Sequence, residues 1–251
     1  MLEICIDSVA SAKAAAAGGA DRVELCAGLP EGGTTPSAGM IRKVRSAFPG
    51  GLMVIIRPRG YDFLYSEDEM EVMLRDIETA RSLGADGIVI GCLNADGTVD
   101  KVRCRRLMDA AGPLDVTFHR AFDMTRNLEE AMEDIAGLGM KRILTSGGYP
   151  DVPSGVSLIK NLVEKARNRV SLMPGGGVTA ENIGEMMRAT GASEIHLSAR
   201  RGVKGGMIYR NPDCFMGAFT RDNEYDWREA NAETVRRCKE QVRACLRDRA
   251  A

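Results

Sequence analysis

The chain carries only two histidines, His119 and His196, and each falls within or at the end of a short apolar run. Similar runs nearby carry the other groups able to move protons or hold ions. Glu3, Cys5 and Asp7 lie on the first of these runs, Glu24 and Cys26 on the second, Arg57 and Arg59 at the third, and His119 with Arg120 at the fifth. His196, Ser198 and Arg200 belong to the eighth. Carboxyl and imidazole groups gathered in one place suit general acid–base chemistry, which makes Glu3, Glu24, His119 and His196 the candidate catalytic residues. Cys5 and Cys26 each follow a glutamate by two residues, and two thiolates on neighbouring strands suit Cu(I), a soft ion served by sulfur. The alternative for both is a pair of buried, unreactive small hydrophobes.

A third chemistry is anion binding. The turn Met173-Pro174-Gly175-Gly176-Gly177-Val178 leaves backbone N–H groups unshielded by side chains, and Ser146-Gly147-Gly148 and Ser198-Ala199-Arg200 extend the same cradle. Arg57, Arg59, Ser146, Gly175, Gly176, Gly177, Ser198 and Arg200 are therefore the candidate anion-binding set. The competing explanations are a tight turn that needs positive φ and acid–arginine pairs that merely close the structure.

These residues need a frame that brings eight runs to one place. The runs are Leu2 to Ile6, Arg22 to Cys26, Leu52 to Arg57, Gly87 to Gly91, Asp115 to His119, Arg142 to Ser146, Val170 to Met173, and Glu194 to Ser198. Each is a strand candidate. Period-two alternation places Glu3, Cys5 and Asp7 on one face, and Glu194, His196, Ser198 and Arg200 on one face. Between the runs, apolar residues recur at helical spacing, as in Met70, Met73, Ile77 and Ala80. Ser66 with Glu69 forms a capping box, Thr35-Pro36 reads as an N-cap with proline at the first helical position, and Thr179 as a helix start. Glycines in Gly18-Gly19, Gly84, Gly139 and Gly191 stand where helices must end.

Strand starts separated by roughly 20 to 35 residues fit βα units, and eight of them predict a closed parallel (β/α)8 TIM barrel. An open doubly wound sheet is the alternative, but the first strand lacks a glycine-rich dinucleotide fingerprint. No linker tract divides the chain, so residues 1–251 read as a single domain with a barrel core over about 2–200 and an extra C-terminal loop and helix over 202–248. The Gly202 to Asp226 segment is long for a connection. Its Met207, Ile208, Tyr209, Phe215, Met216 and Phe219 are positioned to cover the barrel or meet another subunit, and a last helix is expected over Glu229 to Leu246.

Composition excludes some classes. The net charge is -1, with no basic stripe for nucleic acid, and the Arg236 to Arg249 stretch alternates with acids as a solvated helix face does. No uncharged apolar run is long enough to cross a membrane. The N-terminus reads as a first strand and not as a signal peptide, which points to the cytoplasm. Seven cysteines without Cys-x-x-Cys spacing do not form a secreted disulfide framework.

Several stretches resemble the CutC family: Glu3-Ile4-Cys5-Ile6-Asp7-Ser8, Ala20-Asp21-Arg22-Val23-Glu24-Leu25-Cys26, Ile56-Arg57-Pro58-Arg59-Gly60, Val116-Thr117-Phe118-His119-Arg120-Ala121-Phe122-Asp123-Met124, Met173-Pro174-Gly175-Gly176-Gly177 and Ile195-His196-Leu197-Ser198-Ala199-Arg200. The likeness runs in order from residue 2 to about 200. It implies a cytoplasmic TIM-barrel protein of copper homeostasis, a homo-oligomer such as a dimer or tetramer, binding Cu(I) through residues matching Cys5 and Cys26. The residues themselves leave a second expectation open: an enzyme acting on a small anionic, even phosphorylated, substrate at the C-terminal face of the barrel.

Overall fold

The β-branched runs become strands whose two faces meet different surroundings. The computed structural model describes residues 1–214, 216 and 224–250, so Phe215 and Phe219 lie outside the described residues. β1 (Leu2–Ile6), β2 (Arg22–Leu25), β3 (Gly51–Ile55), β4 (Gly87–Ile90), β5 (Asp115–Phe118), β6 (Arg142–Thr145), β7 (Ser171–Pro174) and β8 (Ile195–Leu197) form one parallel sheet. Its hydrogen-bonded order is β7-β6-β5-β4-β3-β2-β1-β8. Gly175 and His196 bridge the two end strands and bring the barrel round on itself.

The helices α1 (Val9–Gly18), α2 (Ala38–Ala47), α3 (Glu67–Ser82), α4 (Lys101–Ala111), α5 (Leu128–Leu138), α6 (Val152–Ala166), α7 (Ile183–Thr190) and α8 (Ala232–Ala250) surround it. Leu2, Ile4 and Ile6 on β1, Val23 and Leu25 on β2, and Val54 on β3 face the helices and join the main core. The alternate residues Cys5, Cys26, Met53, Ile55 and Val89 form a separate apolar cluster inside the barrel. The period of two thus sorts each strand between an outer apolar layer and an inner, more reactive one.

Local signals set most element ends. Ser66 and Glu69 close the reciprocal capping box of α3, and α5 ends on Gly139 in the left-handed region. Two helix starts differ from expectation. Thr35 Oγ1 accepts from the Arg57 N–H at 2.9 Å and donates to the Arg57 carbonyl, so Ser37 caps α2 instead. Thr179 lies in a turn closed by its N–H donating to Asn182 Oδ1 at 2.8 Å, and α7 starts at Ile183.

The eighth run also departs from simple alternation. Ala199 takes a positive φ of 46°, which ends the face shared by Glu194, His196 and Ser198 and turns Arg200 away. Arg200–Val203 is a new strand, β9, pairing antiparallel with β10 (Trp227–Ala230). The last helix consequently begins at Ala232 rather than Glu229, and packs against α1 and α7.

Candidate functional site

The barrel interior is built in levels, beginning with a plug of charge. Arg22 donates to Glu3 and, at 2.5 Å, to Glu194. Arg142 donates to Glu194 and Asp115, both at 3.2 Å, and to Thr117 Oγ1. Both arginines are buried, so each guanidinium is matched where water cannot reach it.

Glu3 links this plug to the level above, because its Oε1 lies 2.8 Å from His196 Nδ1. His196 Nε2 in turn lies 3.7 Å from Glu24 Oε2. The β1–β2 register places Cys5 opposite Glu24, with Cys26 two residues further on the same face. Side-chain reach restores the sulfur pair: Cys5 Sγ and Cys26 Sγ are 3.9 Å apart, and one oxygen of Glu24 completes a set of three donor atoms all within 4.8 Å of one another.

Burial and neighbours sort the charges. Desolvation would raise Glu3, but Arg22 and then His196 hold it down at about 2. Desolvation opposes charge on His196, yet Cys5, Glu3 and Glu24 around it hold the imidazole well above its usual value. The hydrogen bond from Cys26 brings the Cys5 thiol down to about 5, against its burial and with help from His196, while Cys26 is pushed up. Burial and the negative Cys5 sulfur push Glu24 up to about 8. The surroundings therefore favour charge on Glu3, His196 and Cys5 and oppose it on Cys26 and Glu24.

His119 is the opposite case. Burial, then the neighbouring Arg57, lower it to about 3. Its Nδ1 accepts the Ala121 N–H at 3.1 Å, which assigns the proton of the neutral ring to Nε2. That Nε2, although buried, has no hydrogen-bond partner among the described residues.

Cys5, Glu24, Cys26, Arg57, His119 and His196 all line one cavity of about 240 Å³, with Leu29, Ile55, Phe63 and Leu144 as apolar walls. The structure does not bring every candidate there. Arg59 is engaged by Glu69 at 2.5 Å and Asp62 at 2.9 Å, and Arg200 by Asp7 at 2.8 Å. Gly175 donates its N–H to the Thr145 carbonyl, and Gly177 packs beside Asp151. Gly176 lies beside Arg120, and Ser198 is half-buried between His196 and the turned Ala199. Ser146 is occupied by Asp123, which accepts the Ser146 and Gly148 N–H groups and the Thr145 and Ser146 hydroxyls. The chain's own carboxylate thus sits where the sequence suggested an external anion. Asp123 and Phe63 are absent from the candidate set, because neither stands at a strand end; only the three-dimensional approach of their loops brings them in.

The chain matches known proteins over most of its length. The model of the CutC family matches residues 1–201. A family protein CutC of Bacteroides fragilis is 49% identical over 243 residues, covering 96% of this chain and 96% of that protein. The human copper homeostasis protein cutC homolog is 48% identical over 236 residues, covering 94% of this chain and 86% of that protein. A crystal structure of CutC from Streptococcus agalactiae superposes with a TM-score of 0.75 at 33% identity, covering 79% of this chain and 98% of that one. A thiamine phosphate pyrophosphorylase from Pyrococcus furiosus, at a TM-score of 0.60 and 15% identity, shares the barrel fold.

Proposed function

This chain belongs to the CutC family, and on that premise we propose that it serves copper homeostasis by binding Cu(I) through Cys5 and Cys26. The observation that carries the reading is the buried sulfur pair at 3.9 Å, on the wall of a cavity through which an ion can enter. Soft thiolates select Cu(I), and hard oxygen donors do not. Cys5 supplies one thiolate without further ionisation, and the thiol proton of Cys26 is released as the ion binds. Glu24, carrying its proton, stays a neutral neighbour, and the His196 imidazolium offsets the negative charge of two thiolates.

A reducing compartment, the cytoplasm, keeps such a pair available. That location is supported by the free, buried thiols Cys5, Cys26, Cys92, Cys104, Cys238 and Cys245. Exposed Met207, Ile208 and Tyr209 beyond β9 support assembly into a homo-oligomer, a dimer or tetramer.

Anaerobic titration of Cu(I) against a chromophoric chelator tests the binding. Wild-type protein is expected to hold one tight equivalent, and the Cys5→Ser/Cys26→Ser variant to lose affinity by about 100-fold or more, beyond the loss of a mere neighbour of the ion. Unchanged affinity in a variant with the wild-type circular dichroism spectrum would sink the assignment.

A further inference from the structure

Arg57 is buried at 4% exposure, yet among the described residues no carboxylate pairs with it. Its Nη1 donates to the Glu31 and Gly33 carbonyls and its Nη2 to the Tyr61 carbonyl, each at 2.9 Å. Those contacts fix the guanidinium but leave its charge uncompensated, unlike Arg22 and Arg142 in the plug below. The Phe63 ring lies 5.0 Å from Arg57 Cζ and 5.0 Å from the His119 ring centroid, so the cation and the imidazole both lie against this one ring. The Nδ1–Cε1 edge of His119 is pressed against Gly91, where no β-carbon would fit, and against Ala121. The Nε2–H, buried and without a partner among the described residues, belongs to a ring that lines the same cavity as Arg57.

We propose that this cavity is a binding site for a small organic carboxylate, its anionic group held by Arg57 and the His119 Nε2–H and its carbon skeleton packed on Phe63, Ile55 and Leu144. One uncompensated cation and one free N–H donor match a monoanion. A phosphate dianion, with a third oxygen to satisfy, would meet Glu24, Glu31 and the sulfurs on the remaining polar wall, whose cations Arg120 and His196 are already paired with Asp123 and Glu3. The volume of about 240 Å³ equals roughly eight waters of liquid, room for a few carbon atoms and not for a nucleotide. The low pKa of His119 supports the same picture, since a ring held neutral keeps one donor and one acceptor in fixed places. The site stands independently of copper, for neither group belongs to the sulfur pair.

The test uses full-length protein labelled with 15N-histidine, titrated at pH 7 and constant ionic strength with acetate, butyrate, inorganic phosphate or chloride. Acetate is expected to shift the His119 Nε2–H resonance saturably, butyrate to do so at several-fold lower concentration, and phosphate and chloride to leave it in place. The same response is expected in the Cys5→Ser/Cys26→Ser variant, so the outcome does not depend on copper. Arg57→Gln is expected to weaken acetate binding at least tenfold. His119→Phe, which keeps the ring on Phe63, should abolish the acetate-dependent rise in melting temperature. A wild-type response to carboxylates no larger than to chloride would overturn the proposal, as would tighter binding of phosphate or undiminished binding in both variants.

Discussion

His119 and His196 are pushed in opposite directions in one cavity, and the difference lies in what faces each ring. His196 is ringed by Glu3, Glu24 and Cys5, whereas His119 meets Arg57, Phe63 and a backbone N–H. Between pH 6.5 and about 3 the unfolded chain takes up a proton at His119 that the folded chain refuses. Its contribution to stability is therefore whole above pH 6.5 and lost as the pH falls through that window. His196 behaves in the reverse sense: its contribution is whole below pH 6.5 and lost as the pH rises through its raised pKa. Nitrogen-15 spectra of the two imidazoles are expected to show His119 neutral at pH 5, with its proton on Nε2, and His196 doubly protonated at pH 7.5. Two ordinary titrations near pH 6.5 would contradict this. The residue types were legible in the sequence, since Glu3, Cys5, Glu24, Cys26, Arg57, His119 and His196 were all picked out by position. Their charge states were not, because those depend on distances between strands far apart in the chain, such as β1 and β8.

The strands carry the charge plug as well as the site. Arg22 on β2 matches Glu3 on β1 and Glu194 just before β8, so three strands are tied at one end of the barrel. Removing the guanidinium leaves the buried Glu3 carboxylate with His196 alone and the partly buried Glu194 with Arg142 alone. Arg22→Met is expected to cost about 3–5 kcal/mol in urea unfolding, the range for breaking a buried pair. Arg169→Ala, which breaks an exposed pair with Glu133 on the outer surface, should leave the urea midpoint nearly unchanged. Equal effects would show that the plug is not a structural tie. Strands and capping boxes were readable because their signals are local, as with Ser66 and Glu69. At Ser146 the cradle that the sequence suggests holds the chain's own carboxylate, because Asp123 folds back from the loop after β5 and accepts the Ser146 and Gly148 N–H groups, an approach no local signal announces. β9 and β10 escaped notice because the left-handed turn at Ala199 interrupts a pattern that looks continuous in the sequence.

Closing the barrel gives the molecule its division of labour. One end is locked by Arg22, Arg142, Glu194 and Asp115, and the other gathers soft sulfurs, a neutral imidazole and an unpaired cation around one cavity. The chain belongs to the CutC family, and the proposed copper role rests on the sulfur pair in the wall of that cavity. Copper K-edge X-ray absorption on full-length protein loaded with one equivalent of Cu(I) reads the ligands directly. A nearest shell of sulfur alone is predicted, disappearing in the Cys5→Ser/Cys26→Ser variant. A shell dominated by nitrogen or oxygen, or one unchanged in that variant, would contradict the assignment.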